Sequence, residues 1–221
     1  MLFKKKENSE SDWEIVKVEE LKDDVVKKIV GKYYEQLSIR LKKLLRIPSN
    51  IYIWQHLDKE EVYSDCLTTS HLIDKWFEQI CRKSVIAGLQ QKSVNETKTN
   101  IVDTLDRTGR LYVPKQILHV EEAGLDYLVS SEIITIQNNR VGFVHQSILD
   151  CFISQRMMEK YFEGQDIENV IGEKCKQTPG RRYQVQMLLQ NLLEYDSSDF
   201  ILIGERMLIS DDIRYYVKYV F

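Results

Sequence analysis

Four histidines and four cysteines are the side chains richest in chemistry, and their spacing offers little of it. His56, His71, His119 and His145 stand apart, and Cys66, Cys81, Cys151 and Cys175 include no Cys-x-x-Cys pair. Cys66, His71 and Cys81 fall within 16 residues, but gaps of 4 and 9 residues match no usual zinc-ligand pattern. Carboxylates come as adjacent pairs: Asp23-Asp24, Glu60-Glu61, Glu121-Glu122 and Asp211-Asp212. Sequence neighbours do not face each other on a helix, so these pairs read as solvated surface rather than acid–base dyads. A GxxxxGK[ST] phosphate loop, a GxGxxG turn, HExxH and GxSxG are all absent from the sequence. On this reading the chain alone is not an enzyme and holds no metal.

The frame around these residues is that of a globular protein. Its 221 residues allow one large or two small domains, and 43% hydrophobic with 29% charged residues excludes disorder. Nine glycines and three prolines are few for a turn-rich β-sandwich. A net charge of −3 argues against a dedicated nucleic-acid binder. No apolar run reaches transmembrane length, and the basic start MLFKKKENSESDW has no apolar core behind it, so neither a membrane span nor a signal peptide is expected. The scattered cysteines fit reduced, mostly buried thiols and a cytoplasmic setting.

Periodicity then predicts the elements. Residues 1–12 are polar and expected to fray. Residues 13–18 alternate as a short strand, which needs a sheet to pair with. Leu21, Val25, Ile29, Leu37, Leu41, Leu44 and Leu45 give one long helical stripe, with Arg40, Lys42, Lys43 and Arg46 as its solvated face. Ile47-Pro48 stops that helix, and Ser49-Asn50 is expected to cap the next, with Ile51, Ile53, Trp54 and Leu57 inward. Thr68-Thr69-Ser70 precedes an amphipathic helix carrying Leu72, Ile73, Trp76, Phe77, Ile80 and Val85. Residues 89–100 lack an apolar stripe and read as a linker before a short helix that ends near Gly109. Residues 111–113 are extended and Pro114 opens a turn. Two short helical pieces follow over 117–131. Then come a β-rich Ile133-Ile134-Thr135-Ile136, an Asn138-Asn139 turn and a second strand at 141–145. A helix over 147–162 stops at Gly164. Helices at 167–175, 182–195 and from about residue 200 onward complete the chain. Its start and its apolar end (residues 215–221) both look cut.

Helix, helix, hairpin is the order of a winged helix with the hairpin as its wing. Residues 117–131, which would be the recognition helix of a DNA reader, hold Glu121, Glu122 and Asp126 and no Lys or Arg. Acidic groups repel phosphate, and only Arg140 on the wing is suited to DNA, so a packing role is expected.

This order resembles the C-terminal half of the nucleotide-binding module of STAND NTPases of the NACHT type. Three places carry the likeness. Leu44-Leu45-Arg46-Ile47-Pro48-Ser49-Asn50 looks like the lid-helix junction. Val141-Gly142-Phe143-Val144-His145-Gln146-Ser147 looks like the Phe-x-His segment that ends the winged helix. Residues 14–20 look like the last strand of the ATPase sheet. The resemblance implies a mainly α fold: a tail and strand remnant at 1–20, a helical lid at 21–88, a winged helix at 89–163 and a helical arm at 164–221. It implies that Pro48 packs on the adenine and His145 reaches the β-phosphate of ADP. ADP or ATP would be bound only together with an upstream P-loop ATPase domain, with homo-oligomerisation on activation and a role in defence or signalling. Neither nucleic acid nor membrane is an expected partner. The alternative is a non-catalytic helical adaptor with a winged helix, docking through its apolar ends at 13–18 and 215–221.

Overall fold

The computed structural model describes residues 2–5, 13–16, 19–58 and 66–221, with side chains from residue 19 onward. The chain is mainly helical and divides into two compact units, Met1–Trp76 and Phe77–Phe221. The winged-helix and arm segments expected at 89–163 and 164–221 fall together in the second unit.

In the first unit, strand β1 (Leu2–Lys5) pairs antiparallel with β2 (Trp13–Val16), Leu2 opposite Val16 and Lys5 opposite Trp13. The expected strand is there, but its partner comes from the segment expected to fray. A local antiparallel hairpin supplies the ladder that a lone strand lacks. Residues 17 and 18 of the expected strand lie outside the described residues.

The single helix expected over 21–45 is broken. Helix α1 (Asp23–Val30) has Asp23 and Asp24 in its first turn and Lys27 and Lys28 in its last, each matching the helix dipole. It ends at Gly31, whose φ of +65° only glycine adopts freely. A 3-10 turn over Gly31–Gln36 follows, and Leu37 is extended. The Ser38 hydroxyl then accepts from the Leu41 N–H at 3.1 Å and starts α2 (Ile39–Leu44). Leucine spacing is equal on both sides of such a break, so periodicity alone does not reveal it.

Helix α3 (Pro48–His56) starts on Pro48 itself, with Ile47 extended as its cap. Proline at the first helical position loses no hydrogen bond. Ser49 and Asn50 are thus inside the helix rather than capping it. The four apolar side chains expected inward, Ile51, Ile53, Trp54 and Leu57, are buried. Asn50 is buried too: its amide nitrogen donates to the Leu44 carbonyl (2.9 Å) and to Thr69 Oγ1 (3.0 Å), tying α2 to the start of α4 (Thr69–Ile86). The Thr68 hydroxyl caps α4 by accepting from the His71 N–H. Val85, expected in the core, is 56% exposed.

The second unit takes up α4 from Phe77 and continues into α5 (Gln91–Thr108). Residues 89–100, expected as a linker, are mostly helix. Within 89–100 the buried residues are Val94 and Thr97, and the inward face runs on through Ile101, Val102, Thr104 and Leu105. One of the two inward residues of 89–100 is a threonine, which is why that stretch reads as polar. Gly109, in the left-handed conformation, ends α5 as expected.

Strand β3 (Val113–Pro114) and a 3-10 turn at Lys115–Ile117 lead to α6 (Glu122–Ser130). Then come β4 (Ile134–Gln137) and β5 (Arg140–Phe143), joined through Asn138 and Asn139 at φ +50° and +60°. This is the expected two-residue hairpin, in the turn that positive φ at both positions produces. The sheet order is β3-β5-β4, antiparallel throughout, with Val113 opposite Val141 and Ile134 opposite Phe143. Helix α6 packs on α5 so closely that a Cβ on Gly124 would sit 2.5 Å from Thr97 Oγ1.

Helix α7 (Gln146–Phe162) carries the core of this unit. Phe152 is 1% exposed, its ring 5.3 Å from that of Phe77 and 5.5 Å from that of Phe143. Each such fully buried side chain stabilises the fold by roughly 1.5–3 kcal/mol. The helix stops at Gly164 as expected.

The remaining helices differ from expectation. Helix α8 is short (Ile167–Ile171), because Gly172 at φ +90° ends it. Helix α9 (Pro179–Tyr195) begins at Pro179, with the Thr178 hydroxyl as cap. The last expected helix is two: α10 (Ser197–Ile209), capped by Asp196, and α11 (Tyr215–Lys218). Helix α9 packs on α7, α10 and α11, and buries Val185, Leu188, Leu189 and Leu192, whereas Leu193 faces out. Among the described residues, no helix is long and apolar enough to cross a membrane. Cys66, Cys81 and Cys151 are buried and Cys175 is exposed.

Candidate functional site

His145 is the N-cap residue of α7, two residues beyond the end of β5 in an extended conformation (φ −133°, ψ 138°). The β4–β5 ladder runs on to this point, since the Val144 N–H donates to the Ile133 carbonyl. Phe143 anchors the strand end in the core, which fixes where the imidazole emerges. The ring is half-buried, and burial pushes its pKa below the usual 6.5. At neutral pH it is therefore uncharged, one ring nitrogen donating and the other accepting. It does not cap its own helix. Beside it in the first turn, the Ser147 hydroxyl is buried without a hydrogen-bond partner among the described residues. The N-terminal turn of a 17-residue helix also carries partial positive charge.

Pro48 is exposed on the first turn of α3 in the first unit, whereas His145 belongs to the second. In its own unit Pro48 acts as a helix start. His71 accepts through Nδ1 from the Leu67 N–H, a local structural contact. His56 Nδ1 lies 2.8 Å from the Tyr52 carbonyl, and its ring packs against those of Tyr52 and Trp76, which also meet edge-on. Among the described residues, no group of three His, Cys, Asp or Glu side chains could hold a metal ion.

Sequence reasoning missed a second site. A cavity of about 340 Å³ opens among the C-terminal end of α5, the first turns of α7 and the start of α9. Its floor is apolar, with Leu105, Leu149 and Ile153. One wall is an ion pair between Arg181 and Asp106 (2.5 Å), whose side chains are only 11% and 21% exposed. Another is buried Asp150, which accepts from Gln184 Nε2 at 2.7 Å; burial pushes its carboxyl pKa above the ordinary 3.8, against the pull of that hydrogen bond. Arg107, Arg110 and Lys176 also line it. These residues span positions 105–184 and join no sequence motif. The one legible signal was the basic Arg107-Thr108-Gly109-Arg110 around the helix stop.

Comparison with known proteins supplies no relative: no family model, no curated protein and no solved structure matches the chain.

Proposed function

We propose that the chain is the regulatory lid and winged-helix portion of a NACHT-like molecular switch, in which ADP bound against a P-loop ATPase domain holds a closed state. The observation that carries this reading is the placement of His145. A neutral, half-buried imidazole stands at a strand end, beside the first turn of α7 and the unpartnered Ser147 hydroxyl. An imidazole and a hydroxyl two residues apart at the N-terminus of a helix suit a phosphate oxygen. In the finer fold reading, α5, β3, α6 and the β4–β5 hairpin make up a winged helix, supported by the sheet order β3-β5-β4. Helix α6 is then a packing helix: it lies on α5, its Glu122 pairs with Lys115, and Ser93 donates to Glu121. Pro48, exposed at the start of α3, is free to meet an adenine ring in the same assembly. Proteins of this class are cytoplasmic switches in defence or signalling that oligomerise when ATP replaces ADP, and the bias between states must come from contacts that differ between them. The chain itself hydrolyses nothing on this reading.

The test is ADP affinity, by titration calorimetry, of the chain combined with its P-loop ATPase half, for wild type and His145→Ala. Loss of one hydrogen bond to a charged phosphate predicts weakening by roughly 1.5–3 kcal/mol, about ten- to a hundredfold. Unchanged affinity in a variant with a native circular dichroism spectrum removes His145 from the site and defeats the reading. A helical adaptor would then stand in its place, favoured by the exposed apolar row on α10, where Ile201, Leu202, Leu208 and Ile209 are 49–81% exposed. The docking end at 215–221 has Tyr215 and Tyr219 exposed, whereas the side chains at 13–18 lie outside the described residues.

A further inference from the structure

The cavity of the second unit is unbalanced in charge. Four cations line it (Arg107, Arg110, Lys176 and Arg181) against two carboxylates, Asp106 and Asp150. Arg181 is already matched by Asp106. Asp150 is committed to Gln184 and deeply buried. The side chains of Arg107, Arg110 and Lys176 join no ion pair or hydrogen bond among the described residues, yet all three border the same hollow. Like charges gathered around one concave space repel one another unless an anion sits between them.

We propose that this cavity binds a small organic phosphate carrying at least two negative charges, a ligand site separate from the nucleotide contact at His145. Three unmatched cations call for more than one negative charge, and a phosphoryl group brings up to two on three acceptor oxygens. The planar fork of an arginine pairs with two such oxygens at once. The volume, about 340 Å³, is that of a small-molecule pocket. The rest of the ligand would rest on Leu105, Leu149 and Ile153. The first turn of α9, whose Thr178 cap lines the cavity, adds the positive end of a 17-residue helix.

Inorganic pyrophosphate is the probe, titrated calorimetrically into the whole chain at low salt, with sulfate at matched ionic strength alongside. The expected result is a dissociation constant below about 1 mM for pyrophosphate, with sulfate at least tenfold weaker. Arg110→Ala and Lys176→Ala should each weaken binding roughly three- to tenfold. Both side chains are exposed, so an unchanged melting temperature without ligand would show that each variant folds. Four results would overturn the proposal: no binding at millimolar pyrophosphate, equal binding of sulfate, affinity unchanged by both substitutions, or loss of binding in His145→Ala alone. The last would put the phosphate at the first turn of α7 instead.

Discussion

The Asp106–Arg181 pair links the end of α5 to the start of α9 across 75 residues of sequence, and its strength can be worked from its geometry. With side chains 11% and 21% exposed, the pair is neither a surface bridge nor fully dry. At an effective dielectric near 20, two charge centres about 4 Å apart attract by about 4 kcal/mol. Desolvation of both groups offsets part of this. The expected coupling in a double-mutant cycle with Asp106→Ala and Arg181→Ala is therefore about 1.5–3 kcal/mol, within the range for residues in direct contact. Together the two single substitutions should cost more than the double, because each leaves the other charge largely buried and unpaired in the cavity wall. Arg181→Ala also removes the guanidinium contact to Met157 Sδ. The assay is urea denaturation of all four proteins followed by circular dichroism, repeated in about 1 M salt, where surface pairs are screened. A coupling below about 0.5 kcal/mol, or one abolished by salt, would place the pair with ordinary surface bridges and refute the argument from burial.

Two further outcomes concern the second unit. Folded Asp150 keeps its proton to a higher pH than the unfolded side chain does, so unfolding releases a proton as the pH rises through the ordinary value of 3.8. Its contribution to stability therefore falls with rising pH, by about 1.4 kcal/mol for every tenfold difference in proton affinity between the folded and unfolded carboxyl. Asp150→Asn keeps an acceptor for Gln184 and removes this dependence, so its stability relative to wild type should climb as the pH rises from below the ordinary 3.8 through the raised folded value. A flat difference between the two denaturation curves would contradict this. In Gly142→Ala, the new Cβ would lie 2.5 Å from the Leu111 carbonyl oxygen and 2.6 Å from the Tyr112 ring. The backbone oxygen cannot swing aside, so strand β5 must move, at a cost of about 1–3 kcal/mol in thermal denaturation. A neutral substitution would mean that β5 is not held against the residues leading into β3.

Much of the chain was legible because local rules acted alone. The Asn138-Asn139 hairpin follows from two residues that tolerate positive φ, between two apolar runs. Gly109 and Gly164 end α5 and α7 where left-handed backbone is needed. The apolar stripe in α3 marks its buried face. The failures came where a local competitor or a distant neighbour decided. Gly31 and Ser38 cut a stripe whose leucine spacing is unbroken. Over 89–100 only Val94 and Thr97 are buried on α5, so a helix start spelled in polar residues reads as a linker. Asn50, a cap by its type, is instead a buried strut between α2 and α4. His145 was visible as an isolated residue, but its depressed pKa and its place beside the first turn of α7 exist only after β5 and α7 pack. The cavity was invisible altogether. Its charges come from the end of α5, the first turns of α7, the turn at Lys174–Lys176 and the start of α9, segments tens of residues apart that no periodicity joins. Sequence thus determined where helices and turns can form, since that depends on neighbours a few residues away. Which charges share a hollow depends on how the helices pack, and that only the tertiary structure decided.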